Sequence, residues 1–143
     1  MECKAMNKFT ARLIALAIFL SPLTYPAVAQ SLLQPQTQGD VTFVSGGVGD
    51  DSQQAMFAVK PDYNLHLLFA KAVAGNYFAM LPVRITDAAG TVVLNAISQG
   101  PFLYARLKPG EYTVMAAHHG VPMTKTAKVP ETGAVDLNFY WEY

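Results

Sequence analysis

From Tyr63 to the C-terminus the apolar residues recur at every second position, and this period limits the fold more than any other feature. Tyr63, Leu65, Leu67 and Phe69 form one such set, Leu81, Val83 and Ile85 a second, and Tyr112, Val114 and Ala116 a third. Val135, Leu137, Phe139 and Trp141 close the series. A period of two puts alternate side chains on opposite faces of a strand, so each set predicts a strand with one buried face. Further runs at 91–97, 102–107 and 123–129 are separated by turn residues: Asp87-Ala-Ala-Gly90, Gln99-Gly-Pro101 and Gly120-Val121. Short strands with turn signals every eight to twelve residues predict a mainly β chain, a sandwich of antiparallel sheets with about seven strands. Pro82, at an outward position, predicts an edge strand or a bulge.

One helix interrupts this pattern. Val41-Thr-Phe-Val-Ser45 reads as a first strand, and Gly46-Gly-Val-Gly49 ends it. Asp50 to Lys60 then reads as a helix, with Asp50 and Gln53 spaced as a capping box, Ala55, Met56 and Val59 as an apolar stripe, and Pro61 as its stop. The glycine-rich approach to this helix resembles a phosphate loop only superficially. It lacks the Lys-Ser/Thr pair, and Asp50 and Asp51 would repel an anion at the helix N-terminus. It reads as a turn.

The N-terminal residues carry an address. Lys4, Lys8 and Arg12 precede the apolar run from Leu13 to Leu20, and Ala27-Val-Ala29 follows, which is the order of a secretory signal peptide cleaved after Ala29. Met6 is an equally natural start. Residues 1–29 are therefore expected to be a signal peptide, 30–39 a polar flexible lead-in, and 40–143 a single domain in the periplasm. Of 143 residues, removal of 29 leaves 114, the size of one small domain. Cys3, the only cysteine, goes with the signal peptide, so core burial must supply the stability without disulfides. The mature chain keeps seven basic and nine acidic residues, too few and too scattered for a nucleic-acid footprint. No later apolar run reaches membrane-spanning length.

Leu107-Lys-Pro-Gly-Glu-Tyr-Thr-Val114 joins two of the strands. Pro109-Gly110 suits a type II turn, and Tyr112 can bury its ring while its hydroxyl reaches the backbone at the corner. Taken with Leu81-Pro-Val-Arg-Ile-Thr-Asp-Ala-Ala-Gly90, Ser98-Gln-Gly-Pro-Phe102 and Lys128-Val129, this stretch resembles the carboxypeptidase regulatory-like domains, which are transthyretin-like β-sandwiches. The match covers about half of the mature chain, and the helix and the strand before it resemble an exported proteobacterial subgroup. The resemblance implies an Ig-like or transthyretin-like sandwich. It implies no catalytic set, because these modules mostly bind or assist.

No residue pattern carries a catalytic motif. There is no thiol in the mature chain and no Gly-x-Ser-x-Gly elbow, and His66 falls on an outward strand position. His118 and His119 are adjacent, so a strand sends them to opposite faces. A Gly120-Val121 turn would place His118 opposite Met123, a weak candidate pair for a soft metal and too few ligands for a site. No cofactor is expected. The alternation ending at Tyr143 also fits a last outer-membrane barrel strand, but a barrel needs at least eight strands of about nine to eleven residues. The expected function is that of an exported, non-enzymatic binding or accessory module, its partner an envelope protein or an extended ligand. The expected surface is a sheet edge with Tyr77, Phe78, Met80, Phe102, Tyr104 and Tyr140. Self-association into an envelope structure and weak metal binding are the alternatives.

Overall fold

The period-two segments form strands throughout the computed structural model, which describes residues 32–73 and 75–143. The signal-peptide reading of residues 1–29 lies outside the described residues. In chain order the strands are β1 (Gln36–Gln38), β2 (Val41–Gly46), β3 (Leu65–Lys71), β4 (Leu81–Asp87), β5 (Val92–Ser98), β6 (Phe102–Arg106), β7 (Gly110–His118), β8 (Val121–Val129) and β9 (Val135–Trp141). Helix α1 (Asp50–Val59) and a 3-10 turn, Lys60–Asp62, stand between β2 and β3. The larger sheet has the order β1-β2-β6-β3-β9 and the smaller β5-β4-β7-β8.

The two sheets face each other across one apolar core. Phe43, Leu65, Leu67, Phe69, Leu103, Phe139 and Trp141 meet Val83, Ile85, Leu94, Val114 and Val129 there, as the alternation predicts. Among the described residues the fold is a mainly β sandwich with one short helix, of nine strands rather than about seven. It is not wholly antiparallel, because β9 runs parallel to β3 over its full length. Among the described residues no helix is long and apolar enough to cross a membrane.

Five local expectations are corrected. The segment expected to be a flexible lead-in contains β1, which pairs with β2, and Leu33, which is buried. Alternation gave no signal there, because a three-residue strand of Gln-Thr-Gln has no apolar face. Pro82 does not mark an edge strand, since β4 lies between β5 and β7. The proline is tolerated because the β4–β7 ladder begins only at Val83, paired with Ala116. The capping box is absent. Gly49 is the N-cap, and Asp50 already lies within the helix. The Gly47 N–H is instead satisfied by Ser52 Oγ at 2.8 Å.

Pro109-Gly110 is not a type II turn, as Gly110 has φ 155° rather than the roughly +80° such a turn requires. The segment carries the chain from one sheet to the other, β6 to β7, rather than closing a hairpin. Tyr112 nevertheless sits as expected, buried, with its hydroxyl donating to the Lys108 carbonyl at 2.7 Å. The last correction is the β7–β8 turn. It is His119-Gly120, with φ of 47° and 76°, so both central residues have the positive φ of a type I′ hairpin. His118 consequently pairs with Val121, and Met123 with Ala116. A slip of two residues keeps every face and changes every partner.

A second apolar cluster lies on the far side of the larger sheet. Val44, Phe102 and Tyr104 point away from the sandwich and are covered by Met56 of α1, with Leu33 and Tyr63. Thus β2, β6 and the start of β3 are buried on both faces, and β9 on one.

Candidate binding site

The outer face of the larger sheet is built in three rows, each crossing β3. The first is Tyr104, His66 and Asp136, and the second is Phe102, Leu68 and Asn138. The third is Tyr77, Ala70 and Tyr140, in which an isolated bridge at Tyr77 takes over from β6. Directly opposed residues share a face, so all nine side chains project to the same side. Helix α1 and its following turn cover the first row, and the rest forms a trough. Its deeper part, about 280 Å³, is lined by Phe57, Lys60, His66, Leu68, Phe102, Tyr104, Asp136 and Asn138.

The closed end of the trough is polar and fully engaged. His66 projects from the outward face as expected, and it is only 8% exposed because the turn after α1 folds over it. Its Nδ1 lies 2.8 Å from Asp136 Oδ1, and its Nε2 lies 2.9 Å from both the Lys60 and Tyr63 carbonyls. Carbonyls can only accept, so Nε2 carries a proton and donates to them. Lys60 Nζ reaches the same Oδ1 at 3.3 Å. Burial opposes ionisation of Asp136, but the hydrogen bonds from His66 and Lys60, together with their charges, outweigh it and hold its carboxyl below the usual value. Burial, reinforced by the Asp136 charge, pushes Tyr104 up to about 12. The His–Asp pair has the contact of a catalytic dyad, yet the second ring nitrogen is spent on backbone carbonyls and is not free to act as a base. Here the pair pins the end of α1 to β3 and β9.

The open end is different. Phe57 is 52% exposed and meets Phe102 edge-on at 5.3 Å, and Tyr77 is 51% exposed with its ring 5.8 Å from Phe102. Tyr140 is 44% exposed, while Ala70 between the two tyrosines is buried. Neither tyrosine hydroxyl nor the Asn138 amide has a hydrogen-bond partner among the described residues.

The residues expected to form an interaction surface are thus divided. Tyr140, Tyr77 and Met80 are exposed. Tyr104 and Phe102 are corrected: both are buried under α1 and its contacts, with Tyr104 only 2% exposed. Sequence reasoning placed the helix but not the face it covers. Phe78, the residue after Tyr77, is partly buried against the core and stacked on His118 at 3.7 Å.

Around His118 the chain end forms a plug. Tyr143 Oη lies 2.6 Å from His118 Nδ1 and donates to the His118 carbonyl at 3.1 Å, so Nδ1 carries the proton shared with it. Trp141 Nε1 donates to the Val121 carbonyl at 3.0 Å. Burial, with His119 adjacent, lowers His118 below its ordinary value. Met123 is not opposite His118 and packs partly against the core. A recess of about 340 Å³ lies beside His118, lined by Met80, Pro82 and His119 among others. Among the described residues no three His, Cys, Asp or Glu side chains gather as a metal site would require.

The β9 edge carries one more feature. In a parallel ladder alternate residues turn both backbone groups toward the same neighbour. The Val135 N–H and Trp141 carbonyl point toward the β3 side, so Asp136, Asn138 and Tyr140 present theirs to the free edge. Lys125 Nζ donates to the Asn138 carbonyl and occupies the middle of that edge.

Compared with models of protein families and with curated proteins, the chain matches none.

Proposed function

We propose that this chain is an exported binding module of the cell envelope, a non-enzymatic sandwich of the carboxypeptidase regulatory-like kind. Its ligand lies on the outer face of the larger sheet. The observation that carries this reading is the trough between α1 and the Tyr77–Ala70–Tyr140 row. It combines an apolar floor with exposed aromatic rings and unpartnered neutral polar groups, the usual composition of a ligand site. Lys125 obstructs strand addition at the β9 edge bordering this face, so the ligand is read as lying on the face rather than along that edge. The engaged state of His66 argues for recognition rather than acid–base chemistry at this site.

The test uses the purified mature chain and isolated envelope fragments in a co-sedimentation assay, after osmotic-shock fractionation has located the protein. Asn138→Arg places a long charged side chain over the trough, and Arg84→Glu alters an exposed position on the smaller sheet. Retention of wild type and Arg84→Glu with loss of Asn138→Arg is the expected result. Absence of co-sedimentation, or equal retention of all three, would overturn the proposal.

A further inference from the structure

We propose that the trough takes a neutral glycan strand, with Tyr77 and Tyr140 as stacking platforms and Asn138 as the hydrogen-bonding amide. This rests on the reading that the outer face is the binding face.

Charge selects the ligand class. At the closed end Lys60, Asp136 and His66 are bound to one another. At the β9 edge Lys125 is bound to the Asn138 carbonyl. Between these margins the second and third rows, Phe102, Leu68, Asn138, Tyr77, Ala70 and Tyr140, carry no formal charge. Neither an anionic nor a cationic chain would find an opposite charge within these two rows to pair with, and Lys60 and Asp136 at the margin already satisfy each other. A peptide added as a strand would need the Asn138 carbonyl, which is occupied. A neutral chain meets none of these costs.

Shape and hydrogen bonding select within neutral ligands. Tyr77 and Tyr140 flank the small Ala70 from either side, two strand spacings or roughly 10 Å apart. Ala70 leaves the space between the rings low. The two open rows lie about 7 Å apart along the strands, so the trough takes a short run of sugar rings lying across them from one tyrosine to the other. A pyranose has an apolar C–H face, which packs on an aromatic ring, and hydroxyl edges that both donate and accept. The free groups here are of the matching kind: two phenol hydroxyls and a primary amide, each able to donate and accept.

The experiment measures binding by calorimetry and maps it by amide chemical shifts. Its probes are chitotetraose and cellotetraose, an oligogalacturonate, and an unstructured Gly/Ala-rich octapeptide. A neutral oligosaccharide should bind, with shifts centred on residues 68–70, 77, 102 and 138–140. Tyr140→Ala and Tyr77→Ala should each weaken it about tenfold, the scale of one aromatic contact. Tyr140→Phe should keep most of the affinity, separating stacking from mere folding, which the dispersion of the amide spectrum checks. Preference for the oligogalacturonate, or no binding of either neutral probe at millimolar concentration, would overturn the inference. Peptide binding with shifts at the same residues would overturn it while leaving the binding-face reading intact. Shifts confined to another surface would overturn both.

Discussion

Met56→Ala should release helix α1 while leaving the sandwich folded. Met56 is the only fully buried side chain of α1, and a ten-residue helix has little stability of its own in water. The helix is joined to the sheet through the cluster of Val44, Tyr63, Phe102 and Tyr104, which is separate from the core between the sheets. Truncating a fully buried methionine to alanine costs about 2–5 kcal/mol. At about 3 kcal/mol, and about 1.4 kcal/mol per factor of ten, the opening equilibrium of α1 should rise roughly a hundredfold. Hydrogen exchange over residues 48–62 should speed up by that factor. Trp141, the single tryptophan, lies in the other cluster and reports on the sandwich. Its denaturation midpoint should move far less than 3 kcal/mol implies. If the Trp141 transition falls by the full amount, together with the helix, the two clusters form one cooperative unit and the reasoning fails. Unchanged exchange of α1 would refute it in the other direction, by showing that Met56 does not hold the helix.

Other outcomes follow from single contacts. Gly100→Ala would place a Cβ 2.2 Å from the Gly46 carbonyl oxygen, backbone against backbone with no flexible atom to yield, so expression as soluble protein should fall sharply. Tyr112→Phe removes one hydrogen bond to Lys108 and should cost about 1 kcal/mol in chemical denaturation; no measurable change would show the corner to be held by ring packing alone. The pH dependence has a worked sign. Asp136, held below its usual value, contributes fully above its unfolded value near 3.8, and the contribution is lost as pH falls through the lower folded value. Asp136→Asn should flatten that acid limb of a thermal-melt series, by a small amount because the side chain is largely exposed. His118, lowered from 6.5 by burial, likewise supports the fold above that value and loses its contribution as pH falls through its folded one. His118→Phe should reduce the slope of melting temperature between pH 7 and pH 5.

The trough itself was only partly legible. Tyr140 was identified as outward by its parity along β9, and Tyr77 by its place in an aromatic stretch. Nothing local marks His66 and Asp136 as partners, since 70 residues separate them and the pair exists only because β9 lies parallel to β3. The burial of Tyr104 depends on which sheet face α1 covers, and the weak stripe of Ala55, Met56 and Val59 does not say which face that is.

The sequence by itself determined which residues alternate, and hence that the chain is mainly β, which faces are apolar, and that Tyr112 anchors a corner. These follow from a backbone whose side chains must take opposite sides in turn. The tertiary structure alone decided strand order, the parallel seating of β9, the register of the β7–β8 hairpin and the covering of one outer face by α1. Each of these is a choice among pairings that bury the same residues equally well, so it rests on long-range packing and on backbone angles such as those at His119 and Gly120. The trough arises from those choices, at the point where the helix ends and the alternating outward residues of β3 and β9 remain uncovered.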